Sequence, residues 1–226
     1  MRRSHLLGIP TAFFLFIVLI GMLLLFPILL SEAFRLLGFS VGQTILLFLF
    51  TLLGSVVNIP IKKIRTKEKV QTSNVNSFFD LFYPKIEEER RIRETTIAVN
   101  LGGAVIPIFI SFLLLANNPG LWSQYLIGIG IVSVISYFLS RPVPGVGITL
   151  PMFIPPLAAA FVAVLLPGDS TAIAYVGGVI GVLLGADIFN LTNIKKYQSR
   201  FLSIGGAGTF DGIFLTGIIA VLLASL

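Results

Sequence analysis

Cysteine is absent from this 226-residue chain, and histidine occurs once, at His5. Without cysteine there is no disulfide, no thiolate nucleophile and no Cys-based metal site. A single histidine in a basic tail leaves no nucleophile–histidine pair and no carboxylate–histidine metal site within the apolar segments. Charge is scarce as well: 12% of residues are charged, where soluble domains carry about 25%. That scarcity excludes a separate large soluble domain. The glycine-rich run 205–208 lacks both the Lys-Ser/Thr tail and the preceding soluble strand of a phosphate-binding loop. Neither a metal nor a cofactor is expected.

What the chain has is apolar length, with a mean hydropathy of +0.99. Stretches long enough to cross a bilayer, about 20 residues each, lie at 10–30, 38–60, 97–116, 122–140, 146–166, 171–191 and 204–225. The expectation is an all-α integral membrane protein of about seven transmembrane helices, forming one transmembrane domain over 1–226. The start, "MRRSHLLGIPTAFFLFIVLIGMLLLFPILL", shares a basic beginning with signal peptides. Its apolar run is longer than a signal core and no A-x-A site follows, so it reads as a retained first span.

Charge orients the spans. With the N-terminus inside, fifteen of the sixteen basic residues fall on the inner segments and only Arg35 lies outside. Basic residues concentrate on the cytoplasmic side of membrane proteins, so the reading is N-in and C-out in the cytoplasmic membrane. The net charge of +6 then reflects topology and contact with the anionic lipids of the inner leaflet, with no nucleic-acid role.

The long inner loop, 62–94, is the one hydrophilic element. "IPIKKIRTKEKV" and "RRIRETTIAV" both partly alternate apolar and polar residues, the period of strands, and could pair as a small β-hairpin beneath the membrane. Between them "SFFDLFYPKI" sets four aromatics in six positions, Phe78 to Tyr83. They read as rings anchored at the headgroup level, ahead of a partner-binding motif.

Two acids lie inside predicted spans. Asp187 falls near the inner end of span six and Asp211 near the inner end of span seven. At 1.5 Å per residue they sit roughly 8 Å and roughly 12 Å from those ends, so antiparallel neighbours bring two carboxyls to similar depth. An ionisable group in hydrocarbon is costly unless paired, neutralised or watered, which marks it as functional. Asn190, one helical turn beyond Asp187, shares its face. Asn58 and Asn100 occupy the same inner level. Pro151, Pro155 and Pro156 predict a broken fifth span whose freed carbonyls need partners. Gly206, Gly208 and Thr209 lead up to Asp211 and would let a substrate or ion approach; such glycines also let helices pack closely.

"NIPI", "VNLGGAVIP", "RPVPGVGITLP", "GADIFNL" and "GGAGTFDG" together resemble a prokaryotic family of multi-pass membrane proteins catalogued only as a domain of unknown function. That resemblance covers nearly the whole chain and implies no activity. The chain is also similar, more distantly, to presenilin-type intramembrane aspartyl proteases, which carry Tyr-Asp on a sixth span and Gly-x-Gly-Asp on a seventh. Asp187 and Asp211 match those acids in span number, direction and depth. Ala186 stands in place of the tyrosine, however, and Thr209 and Phe210 separate Gly208 from Asp211.

Three functions stay open at this point. In a protease, the resemblance implies that Asp187 and Asp211 share one proton and activate water against the peptide bond of a membrane substrate. In a transporter or channel, the same acids would bind a proton or cation, with Asn100, Asn190 and carbonyls of span five completing the shell. In a non-catalytic assembly factor, the work would lie in loop 62–94.

Overall fold

In the computed structural model the described residues are 5–74, 85–143, 147–191, 201–206 and 212–226. They are mostly helical, with a small sheet at one end of the helices. The helices are α1 (His5–Leu36), α2 (Val41–Gly54), α3 (Ile106–Asn117), α4 (Trp122–Leu139), α5 (Ile154–Leu165), α6 (Ser170–Val182) and α7 (Gly212–Ala224). Two π-turns extend them: Leu101–Val105 leads into α3, and Leu183–Ile188 continues α6. Two continuous helical stretches, Pro119–Leu139 and Ser170–Leu191, are long and apolar enough to cross a membrane.

Helix α6 is the axis of the bundle. Every residue from Ala172 to Val179 is buried, and α4, α5 and α7 all pack on it. Glycine makes this enclosure feasible. Gly177, Gly181 and Gly185 recur every four residues and so lie along one face. A Cβ on Gly177 would come within 3.2 Å of the Gly128 backbone on α4, and one on Gly181 within 2.7 Å of Val132. On the other side Gly178 meets Thr216 of α7 and Ala159 of α5. Small residues bring backbones together, so that dispersion contacts accumulate. Asp169 caps α6, accepting from the Thr171 and Ala172 N–H groups at 3.0 and 3.1 Å.

The predicted hairpin is present and larger than the loop that suggested it. β1 (Asn58–Asn74) and β2 (Lys85–Asn100) pair antiparallel from Asn58↔Asn100 to Asn74↔Lys85. Their root thus reaches into stretches that read as spans two and three. The register shifts between Pro60 and Lys62, where proline offers no N–H to the ladder. A third strand, β5 (Phe201–Ile204), pairs parallel with β2 at Thr96–Val99; its residues read from sequence as loop and the start of span seven. Ile97, Leu202 and Ile204 are buried in the core while Lys63, Arg65 and Glu94 stay exposed. Arg65 Nε donates to Glu94 at 2.6 Å across the hairpin.

Span five departs from expectation. It starts as a strand, β4 (Gly147–Thr149), paired with β3 (Arg141–Val143) just before the span, and helix begins only at Ile154. Pro155 and Pro156 therefore open α5, and Pro151 precedes it. First-turn N–H groups have no intrahelical acceptor, so proline there costs no hydrogen bond. These prolines start a helix; they do not break one. The aromatic run Phe78–Tyr83 lies outside the described residues.

The α4–α6 contact is testable. A Cβ on Gly185 would lie 2.1 Å from the Ser133 carbonyl oxygen, whereas one on Gly130 of α4 meets nothing within 4 Å. Gly185→Ala is expected to lower stability in detergent by about 1–3 kcal/mol, as overpacking does. Gly130→Ala should be neutral or slightly stabilising, since alanine favours helix. Equal melting temperatures for the two variants would contradict the packing described.

Candidate functional site

The sheet root meets the helices through one buried amide. Asn100, fully buried, ends β2 and caps the π-turn Leu101–Val105. Its Nδ2 donates to the Ser55 carbonyl at 2.7 Å and to Asn58 Oδ1 at 3.2 Å. Its Oδ1 accepts from Gly103 N–H at 2.7 Å. Asn58 Oδ1 also accepts from Ser203 Oγ of β5 at 2.6 Å. Two asparagines thus tie α2, β1, β2, β5 and the π-turn into one polar node. Close approach here needs glycine: a Cβ on Gly102 would overlap the Thr51 carbonyl oxygen at 2.1 Å.

Asp187 lies on the second π-turn, half-buried. Its Oδ2 accepts from the Gly205 N–H at 3.4 Å, a long bond. Gly205 follows β5 directly and has φ of +81°, a left-handed conformation that side chains resist. A Cβ there would also stand 2.5 Å from that of Ala104, on the first π-turn. The acid, the end of β5 and the asparagine node therefore form one continuous polar layer. Both π-turns border it, and such irregularities concentrate at functional positions.

Asn190 faces a different neighbour. Its Nδ2 donates to Ser140 Oγ at 2.8 Å, at the end of α4, and to the Gly185 and Ala186 carbonyls at 3.1 Å. It satisfies carbonyls at the end of a helix, which otherwise lack partners.

Of the residues singled out from sequence, Asn58, Asn100 and Asp187 lie along this layer, with Gly206 immediately after Gly205. Asn190 joins the α4 side. Pro155 and Pro156 are buried at the start of α5, which packs on α4, α6 and α7, and Pro151 is exposed. Gly208, Thr209 and Asp211 lie outside the described residues. Sequence reasoning missed Ser203, Ser55 and Ser140. Nothing in "FLSI" marks it as a strand, since four mostly apolar residues match a membrane run equally well. The four-residue spacing of Gly177, Gly181 and Gly185 was also missed, although it stands in the sequence. Among the described residues no three His, Cys, Asp or Glu side chains come together as a metal site.

Residues 52–223 match a family described as a protein of unknown function, DUF1614. The chain belongs to that family. No curated protein and no solved structure matches it. The DUF1614 match begins within α2, so it takes in the sheet, both π-turns and Asp187, and leaves α1 outside.

The polar node gives a direct prediction. Asn100→Leu keeps the volume but strips partners from the Ser55 carbonyl, the Gly103 N–H and Asn58. Buried groups left unsatisfied cost about 1–3 kcal/mol each, so a loss of about 2 kcal/mol or more is expected in a thermal or denaturant melt. A change within about 0.5 kcal/mol, the usual surface value, would show that Asn100 does not brace the sheet root.

Proposed function

We propose that this DUF1614 chain is an integral protein of the cytoplasmic membrane, N-in and C-out, whose inner-half acids Asp187 and Asp211 act as an intramembrane aspartyl-protease pair. The membrane reading is supported by the outer face of the bundle. Phe109 and Phe112 of α3, Leu126 and Phe138 of α4, and Phe161 and Leu165 of α5 are each more than half exposed. An apolar surface this extensive suits lipid and would drive aggregation in water. The charge asymmetry sets the direction. Its one exception, Arg35, donates to Glu32 at 2.8 Å, and that hydrogen bond holds the Glu32 carboxyl below its usual range. The outer cation is thereby matched by an anion.

The observation that carries the catalytic reading is the Asp187–Gly205 contact. Asp187 meets the chain where it leaves β5. Asp211 lies outside the described residues, one position before Gly212 in the sequence, and the side-by-side packing of α6 and α7 supports a reading that pairs the two acids. Two close carboxyls hold one proton between them. The ionised member takes a proton from water as its oxygen attacks a peptide carbonyl, and the protonated member donates to the developing oxyanion; the first then gives its proton to the leaving amine as the C–N bond breaks, while the second recovers its own as the carboxylic acid forms. β5 has a strand neighbour on one side only among the described residues. An extended peptide added to its other edge would present its carbonyls beside Asp187. A cation site is favoured less, because the Asn58, Asn100 and Asn190 amides are engaged by protein groups.

Asp187→Asn and Asp211→Asn are each expected to abolish cleavage of a helical membrane peptide by the purified chain, because the pair acts as a unit. Activity should fall at both pH extremes. No cleavage across a broad peptide screen, together with a cation flux in proteoliposomes lost in Asp211→Asn, would replace the protease with a transporter.

A further inference from the structure

A groove of about 450 Å³ runs along the inner third of α4, lined by Ser133, Val134, Tyr137, Phe138, Ile188 and Phe189. Its volume lies in the range of small-molecule sites, and its walls are aromatic and aliphatic. Tyr137 packs edge-on against both Phe138 and Phe189, with ring centroids 5.5 and 6.4 Å apart, so edge-to-face rings form part of the groove's wall. Asn190, the residue after Phe189, donates to Ser140 Oγ, two residues beyond Phe138. Arg141 is the next residue, three beyond Phe138, and its side chain is exposed.

Arg141 differs from other arginines of the fold. Arg35 pairs with Glu32 and Arg65 with Glu94, whereas Arg141 has no carboxylate partner among the described residues. Its backbone is fixed: the Arg141 carbonyl accepts from Thr149 Oγ1 at 3.2 Å, across the β3–β4 hairpin. An exposed arginine three positions beyond the groove's Phe138, with no carboxylate partner among the described residues, supplies the charge that complements a ligand with an anionic head and a hydrocarbon tail. Guanidinium matches phosphate oxygens in a fork.

We propose that this groove is a binding site for an anionic phospholipid of the inner leaflet, the phosphate on Arg141 and one acyl chain between Phe138 and Phe189. The inference rests on the membrane reading and is independent of the acid pair. With Arg141 at headgroup level, Ser133 lies about 9 Å along the helix from Leu139, the end of α4, at the depth of the upper acyl chain.

The test uses the full chain. Resistance of the expressed protein to alkaline carbonate extraction first checks the membrane reading by itself. Native mass spectrometry in mild detergent then compares retention of phosphatidylglycerol and phosphatidylcholine. The wild type should retain phosphatidylglycerol preferentially. Arg141→Gln should weaken that retention on the order of tenfold, as loss of a bidentate charged contact does, and Arg141→Lys should restore part of it. Val134→Trp, which fills the groove and leaves Arg141 in place, should also weaken it. An extraction-resistant protein that holds both lipids equally, or whose preference survives either Arg141→Gln or Val134→Trp, overturns the site. A protein released by carbonate overturns the membrane reading and this inference with it.

Discussion

The carbonyl oxygen of Ser133 occupies the space where a side chain on Gly185 would be, and much of the molecule is arranged around that contact. It draws α4 and α6 together at the end of a glycine row, where the helix loosens into the π-turn Leu183–Ile188. Asp187 stands within that turn. Asn190 follows it and gathers the Gly185 and Ala186 carbonyls while reaching across to Ser140. A bulkier residue at 185 would part the helices, and with them the groove on α4 and the setting of the acid.

A second constraint comes from the sheet. Its hairpin enters the helical body at Asn58 and Asn100, and each buried amide or carbonyl there must find a partner inside the protein. Asn100 meets that demand for three elements at once, and Ser203 adds β5 through Asn58. Because Gly205 directly follows β5, the placement of Asp187 against the backbone is fixed from the sheet side as well as the helix side. Helix packing and polar satisfaction thus converge on the same few residues. That convergence explains why glycine, asparagine and serine cluster in a chain otherwise dominated by apolar residues.

How much of this was legible depended on the kind of signal. Apolar length located the helices, and alternation in "IPIKKIRTKEKV" and "RRIRETTIAV" located the hairpin, because periodicity and hydropathy follow from local geometry. Boundaries were another matter. Asn58 and Asn100 sit in apolar runs that hydropathy alone extends into spans, yet they belong to strands, since tertiary hydrogen bonding there overrides apolar character. Pro155 and Pro156 were read as a break because proline removes a donor; at a helix start that donor is not needed. β5 is too short to carry a period of its own. The asparagines were singled out from the sequence as polar groups at one level; the bonding of Asn58 and Asn100, chiefly structural, depends on Ser55, Gly103 and Ser203, which no local pattern connects to them.

Asp187 and its setting are built by these constraints, and the functional account adds that Asp211 shares the site. The absence of cysteine from the chain makes this directly measurable. A disulfide needs Cα atoms within about 7 Å, and a short bis-thiol reagent extends that reach by a few ångströms. Asp187→Cys combined with Asp211→Cys should cross-link on mild oxidation or with such a reagent in native membranes. The yield should approach that of Asn58→Cys with Ser203→Cys, whose native side chains are 2.6 Å apart. Efficient cross-linking of the 58–203 pair with none between 187 and 211 would contradict a shared two-aspartate site.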